Sequence, residues 1–182
     1  MFAKRLGLLF TLCASAPSDA VIVAHTGKRP RHDTNTAMKF DLVVAQFNKS
    51  VIDPMVAAAR EEAASLGIEI TREVPVPGCY EVPLIVSELL PRKKVDAVVV
   101  LGYIERGQTL HGEVMGNVVH KALVDLQITH GKPVGIGIIG PGATEEQAHA
   151  RKDSYARAAV RAALASAQAI AALDDPKKKL KK

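Results

Sequence analysis

From Phe40 onward, apolar runs of strand length alternate with segments whose apolar residues recur every three or four positions. This alternation predicts stacked strand–helix–strand units and a parallel sheet. The first strand is Phe40–Gln46. Asp53-Pro54 then offers an N-cap and a proline at the first helical position, and Met55, Ala59, Ala63 and Leu66 follow helical spacing until Gly67 ends the run. Ile68–Val74 reads as the second strand and Tyr80–Leu90 as the second helix, closed by Pro91. Val95–Leu101 is almost wholly apolar, as expected of a strand covered on both faces. A long helix spans Thr109–His130, with Leu110, Val114, Val118, Ala122 and Leu126 on one face. Pro133–Ile139 is the fourth strand. Thr144-Glu-Glu-Gln147 is a capping box, and helix continues with breaks to about Ala172. The expected domain is a three-layer α/β/α sandwich with a four-stranded parallel sheet, covering residues 39–172.

Composition narrows what such a domain does. The chain has 182 residues, a length that one domain can fill. Its net charge of +5 is carried by the ends: residues 1–38 and 173–182 each hold five Lys/Arg against two acids, which leaves 39–172 at −1. A near-neutral core with basic ends is not the footprint of a nucleic-acid reader, and aromatics at 4% with no Trp give little for base stacking. Lys177, Lys178, Lys179, Lys181 and Lys182 read as a solvated basic tail. Two cysteines, Cys13 and Cys79, make neither a disulfide framework nor a metal site.

The start of the chain stands apart. Lys4-Arg5, the apolar run Leu6–Leu12 and Ala14-Ser15-Ala16 resemble a short secretory leader, too short to span a bilayer as a helix. An organelle leader or an over-extended start fits the same residues. The polar, aperiodic stretch 24–38 is expected to be a disordered arm. No membrane association is expected.

The chemistry lies in the four segments that leave the strands. They are Gln46-Phe47-Asn48, Pro77-Gly-Cys-Tyr-Glu-Val-Pro83, Glu105-Arg-Gly-Gln-Thr-Leu-His111 and Gly140-Pro-Gly-Ala-Thr144. Parallel strands bring these four to one edge, where ligands of open α/β sheets bind. Gly107-Gln108-Thr109 enters a helix, whose positive end suits an anion such as phosphate. His111 can exchange protons near neutral pH, although a histidine in a first turn is as often a cap or a surface residue. Arg151 can fork onto a phosphate or stand solvated on its helix. Glu81 offers a carboxylate to hydroxyls or to a local backbone N–H. Phe47 can stack on a planar heterocycle or bury itself in the core. His25, His32, His120, His130 and His149 form no metal-ligand spacing, and no P-loop or nucleophile elbow is present.

Taken together, Phe47-Asn48, Pro77-Gly78-x-Tyr80-Glu81-Val82-Pro83, Leu101-Gly102-x-x-x-Arg106-Gly107-x-Thr109-x-His111 and Thr144-x-x-Gln147-Ala148-x-x-Arg151 resemble the lumazine synthase family in order and spacing. The resemblance covers about residues 39–172. The Gly-Pro-Gly turn at 140–142 and the short stretch after Arg151 look most like its archaeal-type branch. It implies a flavodoxin-like fold and a cytoplasmic transferase of riboflavin biosynthesis. Such an enzyme condenses 5-amino-6-ribitylamino-uracil with 3,4-dihydroxy-2-butanone 4-phosphate to 6,7-dimethyl-8-ribityllumazine, with no metal or organic cofactor. It further implies that Phe47 stacks on the pyrimidine, that Asn48 belongs to the substrate-binding residues, and that Cys79, Tyr80 and Glu81 hold the ribityl chain. Gly107, Gln108, Thr109 and Arg151 would bind phosphate, and His111 would be the general acid/base. The site would lie between subunits of a pentamer or a multiple of it, with Arg151 and the 136–137 segment serving the adjacent subunit.

The resemblance has departures. The family's common His-Phe-Asp reads His111-Gly112-Glu113, so Glu113 would replace the acid that supports the histidine. An aromatic often present in the fourth strand is Ile136, and only Arg157 loosely matches a lysine beyond the phosphate arginine. Two other readings share the subunit plan: a lumazine- or flavin-binding or shell-forming homologue without turnover, and the related archaeal riboflavin synthase.

Overall fold

A computed structural model describes residues 37–173; the leader, nearly all of the polar arm, Cys13 and the basic tail from residue 174 lie outside the described residues. Four strands, β1 (Lys39–Ala45), β2 (Glu69–Val76), β3 (Ala97–Glu105) and β4 (Val134–Ala143), form one parallel sheet in the order β2-β1-β3-β4. Val43 sits opposite Val74 on one side and Val100 on the other, and Val100 opposite Ile136. Helices α1 (Lys49–Ser65) and α4 (Glu145–Leu173) cover one face. A 3₁₀ turn (Cys79–Glu81) with α2 (Val82–Leu89), and α3 (His111–His130), cover the other. This is the expected three-layer, flavodoxin-like α/β/α sandwich.

Strand alternation divides the core in two. Phe40, Leu42, Val44, Val99 and Leu101 pack under α1 and α4, while Val43, Ala45, Val98 and Val100 pack under α2 and α3. The one buried charged side chain among the described residues is Asp41, which accepts hydrogen bonds from the Thr71 hydroxyl and from Arg72 Nη1, the latter at 2.9 Å. A buried carboxylate is tolerable only with such partners. Here they pin β2 to β1 beside the irregularity in their pairing.

α1 and α4 differ from the expectation. α1 begins at Lys49, one turn before Asp53, and Pro54 lies inside it. Val51 and Ile52 are buried, so packing draws the preceding turn into the helix, and their N–H groups donate to the Asn48 carbonyl at 3.0 and 3.1 Å. α4 runs unbroken for 29 residues, because no Gly or Pro interrupts it after the capping box. That box forms reciprocally: Gln147 N–H donates to Thr144 Oγ1 at 3.2 Å and Thr144 N–H to Gln147 Oε1 at 3.1 Å.

In α3 the tertiary structure sets the rotation. α3 turns Gly116, Val119 and Leu123 to the sheet, and Leu110, Val114 and Val118 stand exposed. Two apolar stripes share this helix, and periodicity does not say which faces inward. Contact at Gly116 decides: a Cβ there would lie 2.7 Å from Pro141 Cγ, so only this side can approach the end of β4. β3 and β4 also extend beyond their apolar runs, to Glu105 and Ala143, so 140–143 belongs to strand pairing rather than to a free turn.

Candidate active site

All four strand-exit segments lie at the carboxyl edge of the sheet. Between the turn after β3, the start of α3 and the Pro141-Gly142 segment opens a cleft of about 690 Å³. Gly107, Gln108 and Thr109 form one wall, directly before α3, where backbone N–H groups and the helix dipole favour an anion. Thr109 Oγ1 accepts the His111 N–H at 3.4 Å, which partners one N–H at the head of the helix. Gly112 and Asn117 form the α3 wall, and Glu105, Arg106 and Glu113 bring charge to the rim. The Gly112 departure has a local cause, since a Cβ there would stand 3.0 Å from the Glu105 carbonyl oxygen.

His111 is the first residue of α3, and its exposed ring meets the edge of Tyr80 at 5.8 Å between centroids and 65° between planes. The 3₁₀ turn brings Tyr80 there. Glu113 lines the cleft and makes no hydrogen bond to His111. Glu81 Oε2 accepts the Gly78 N–H at 3.0 Å, which fixes the turn from within. Cys79 points into the core: its thiol lies 3.9 Å from the Tyr103 carbonyl, and burial, aided by the Glu81 carboxylate, pushes its pKa up to about 11. The Cys79 side chain is thus closed to a ligand.

Phe47 is 49% exposed and tilts 38° from the Tyr103 ring at 6.5 Å, so half of it is left for a planar partner. Tyr103 was not singled out by the sequence, where it lies past the expected end of the third strand at Leu101. Its hydroxyl donates to the Ala143 carbonyl at 3.2 Å, tying β3 to the end of β4. Asn48 takes a left-handed conformation, φ 58°, at the head of α1.

Two expected site residues remain. Ile136 lies in the middle of β4, half-buried against the α2–α3 side. Arg151 is exposed on α4, in the opposite helical layer, with Nη1 donating to the Gln147 carbonyl at 3.2 Å. Of the expected site residues, Gly107, Gln108 and Thr109 line the cleft, His111 follows them at the start of α3 and meets Tyr80 outside the lining, and Arg151 lies on the other layer. Arg157 is engaged with Glu61 and Glu62 of α1 at 2.5 and 3.3 Å, away from the cleft. Among the described residues no group of three or more His, Cys, Asp or Glu is placed to hold a metal, and no helix is long and apolar enough to cross a membrane.

Fold and site define an α/β protein of the flavodoxin-like class with its binding edge at the carboxyl ends of the strands. The model of the 6,7-dimethyl-8-ribityllumazine synthase family matches residues 37–171, and the chain belongs to that family. It is 47% identical over 124 residues to a 6,7-dimethyl-8-ribityllumazine synthase of Staphylothermus marinus, covering 68% of this chain and 83% of that one. It is 41% identical over 127 residues to the protein of the same name in Pyrobaculum arsenaticum, covering 70% and 85%. It is also 38% identical over 141 residues to that of Saccharolobus solfataricus, covering 78% and 92%. These relatives are archaeal, in line with the branch that the motifs resemble.

Proposed function

We propose that residues 39–172 form a working transferase domain of riboflavin biosynthesis, which condenses 5-amino-6-ribitylamino-uracil with 3,4-dihydroxy-2-butanone 4-phosphate to 6,7-dimethyl-8-ribityllumazine. One observation carries the reading: a histidine, an exposed aromatic and a helix N-terminus fit for phosphate meet at one sheet edge, within a chain of this family. The pyrimidine stacks on Phe47, beside Asn48, and the backbone at Cys79 with Tyr80 and Glu81 holds the ribityl chain. Gly107, Gln108 and Thr109 take the phosphate.

The pyrimidine amine adds to the ketone, and water leaves to form the imine. Phosphate is then eliminated, and ring closure releases a second water. His111 moves the protons of imine formation and phosphate loss, and its place between Tyr80 and the Gly107–Thr109 wall suits both. Arg151 completes the phosphate site of an adjacent subunit in a pentamer. Its distance from this chain's own cleft and the exposed apolar residues Leu84, Leu110, Val114 and Val118 support that assembly. The enzyme works in the cytoplasm, where its small-molecule substrates are made.

The test is direct. The purified chain is mixed with both substrates, and lumazine is followed by absorbance and fluorescence. Formation well above the uncatalysed background supports the reading. A folded oligomer that binds lumazine without accelerating its formation overturns it in favour of a binding or shell-forming homologue. Riboflavin made from lumazine identifies the riboflavin synthase alternative.

A further inference from the structure

His149 has no part in the chemistry above, yet both of its ring nitrogens are engaged. It lies in the second turn of α4 against the first turn of α1. Lys152 Nζ stands 3.2 Å from its Nδ1, and Ser50 Oγ stands 3.3 Å and Glu145 Oε1 3.7 Å from its Nε2. An ammonium can only donate, so Nδ1 accepts and the hydrogen of the neutral ring sits on Nε2, facing Ser50. The Ser50 hydroxyl then donates to Asn48 Oδ1 at 2.7 Å, and Asn48 Nδ2 donates to Glu145 Oε1 at 3.4 Å. Every link runs in one direction, from Lys152 through His149, Ser50 and Asn48 to the Glu145 carboxylate. Such chains polarise and strengthen their members.

The relay ends on an unusual residue. Asn48 is the one non-glycine residue with positive φ among the described residues, a conformation that side chains rarely adopt and Asn tolerates best. It directly follows Phe47, so whatever holds Asn48 also sets where the Phe47 ring stands.

We propose that His149 is a positioning residue for the pyrimidine half of the reaction: through Ser50 it locks Asn48 in its left-handed turn and so aims Phe47 at the heterocycle. The inference rests on the lumazine synthase reading of the site and adds to it a residue that touches no substrate. It also gives Asn48 a defined part, since both ends of its amide are engaged within the chain and it acts through the turn. The same relay ties the Phe47 turn to the helix that carries Arg151.

Full-length His149→Ala and His149→Gln separate positioning from general support. In His149→Ala the KM for the ribityl-aminouracil rises about three- to tenfold, the scale of one or two lost hydrogen bonds. The KM for the butanone phosphate and kcat hold to within about twofold. Gln can place an amide N–H near the position of Nε2, and it restores the first KM. The Val51 and Ile52 amides, which donate to the Asn48 carbonyl, exchange with solvent deuterium faster in His149→Ala than in wild type. A parallel change in both KM values and kcat without rescue by Gln overturns the proposal, and so does unchanged amide exchange. A wild-type chain that makes no lumazine sinks the functional reading instead, and amide exchange then decides the positioning role alone.

Discussion

On one face of the sheet α1 and α4 close upon each other. Arg157 bridges Glu61 and Glu62, Arg161 adds a second contact to Glu62 at 2.7 Å, and the backbone of α4 rests on β4. A Cβ at Gly135 would lie 2.2 Å from the Ala159 carbonyl oxygen, so the two elements touch main chain to main chain. On the other face α2 and α3 bury a narrower stripe and leave large apolar side chains outside: Leu110 is 72% exposed and Val118 54%. The cleft opens beside α3, not beside α4. The first layer is tied together by these contacts within one chain, whereas the second, beside which the cleft opens, leaves Leu84, Leu110 and Val118 exposed.

That contrast can be broken from either side. The largest effect belongs to the open layer. His111→Ala is expected to lower turnover roughly a hundred- to ten-thousandfold, the range of a lost general acid/base. Lumazine binding, measured by fluorescence titration, stays close to wild type, and an equal loss in both would deny His111 a proton-transfer role. Next comes assembly. Val118→Glu places a charge on the exposed stripe, and its sedimentation coefficient is expected to fall to that of a smaller species while circular dichroism is unchanged. A variant that sediments like wild type removes this stripe from the subunit contact.

The closed layer responds in stability instead. Gly135→Val must force α4 away from β4, with an expected loss of about 2–3 kcal/mol in a denaturant titration. Little change there would mean that the helix shifts freely and the layer is looser than the contact implies.

The smallest effect concerns the Arg–Glu bridge. Arg161 first, and Arg157 after it, hold the Glu62 carboxyl below its ordinary value of 4.5, against the opposing effect of partial burial. A depressed carboxyl stabilises the fold above pH 4.5, and that contribution fades as pH falls through the folded value below it. Glu62→Gln is therefore expected to lower the melting temperature at neutral pH and leave it nearer to wild type in acid. Parallel melting curves at both pH values would show that the bridge contributes nothing.

Element types, their order and the convergence of the four strand-exit segments on one edge were legible because they depend on local pattern. Strands alternating with helices dictate parallel pairing, and parallel pairing puts every strand exit on one edge. The capping box at Thr144 and the stop at Gly67 read correctly for the same reason: both are made within a few residues. The start of α1 was misplaced because a proline signal at Asp53-Pro54 was outweighed by burial of Val51 and Ile52. The inward face of α3 was not legible, because contact at Gly116 with Pro141, 25 positions away, chose between two apolar stripes.

By itself, then, the sequence determined the layer architecture, the family through four spaced motifs, and the residue types available for stacking, anion binding and proton transfer. Only the tertiary structure decided which of these meet. It brought Tyr80 against His111, turned Cys79 into the core, kept Arg151 on the far layer, and linked Lys152 and His149 to Asn48 across two helices. Such contacts depend on helix rotation and on the fit of distant side chains, and neither leaves a periodic trace along the chain.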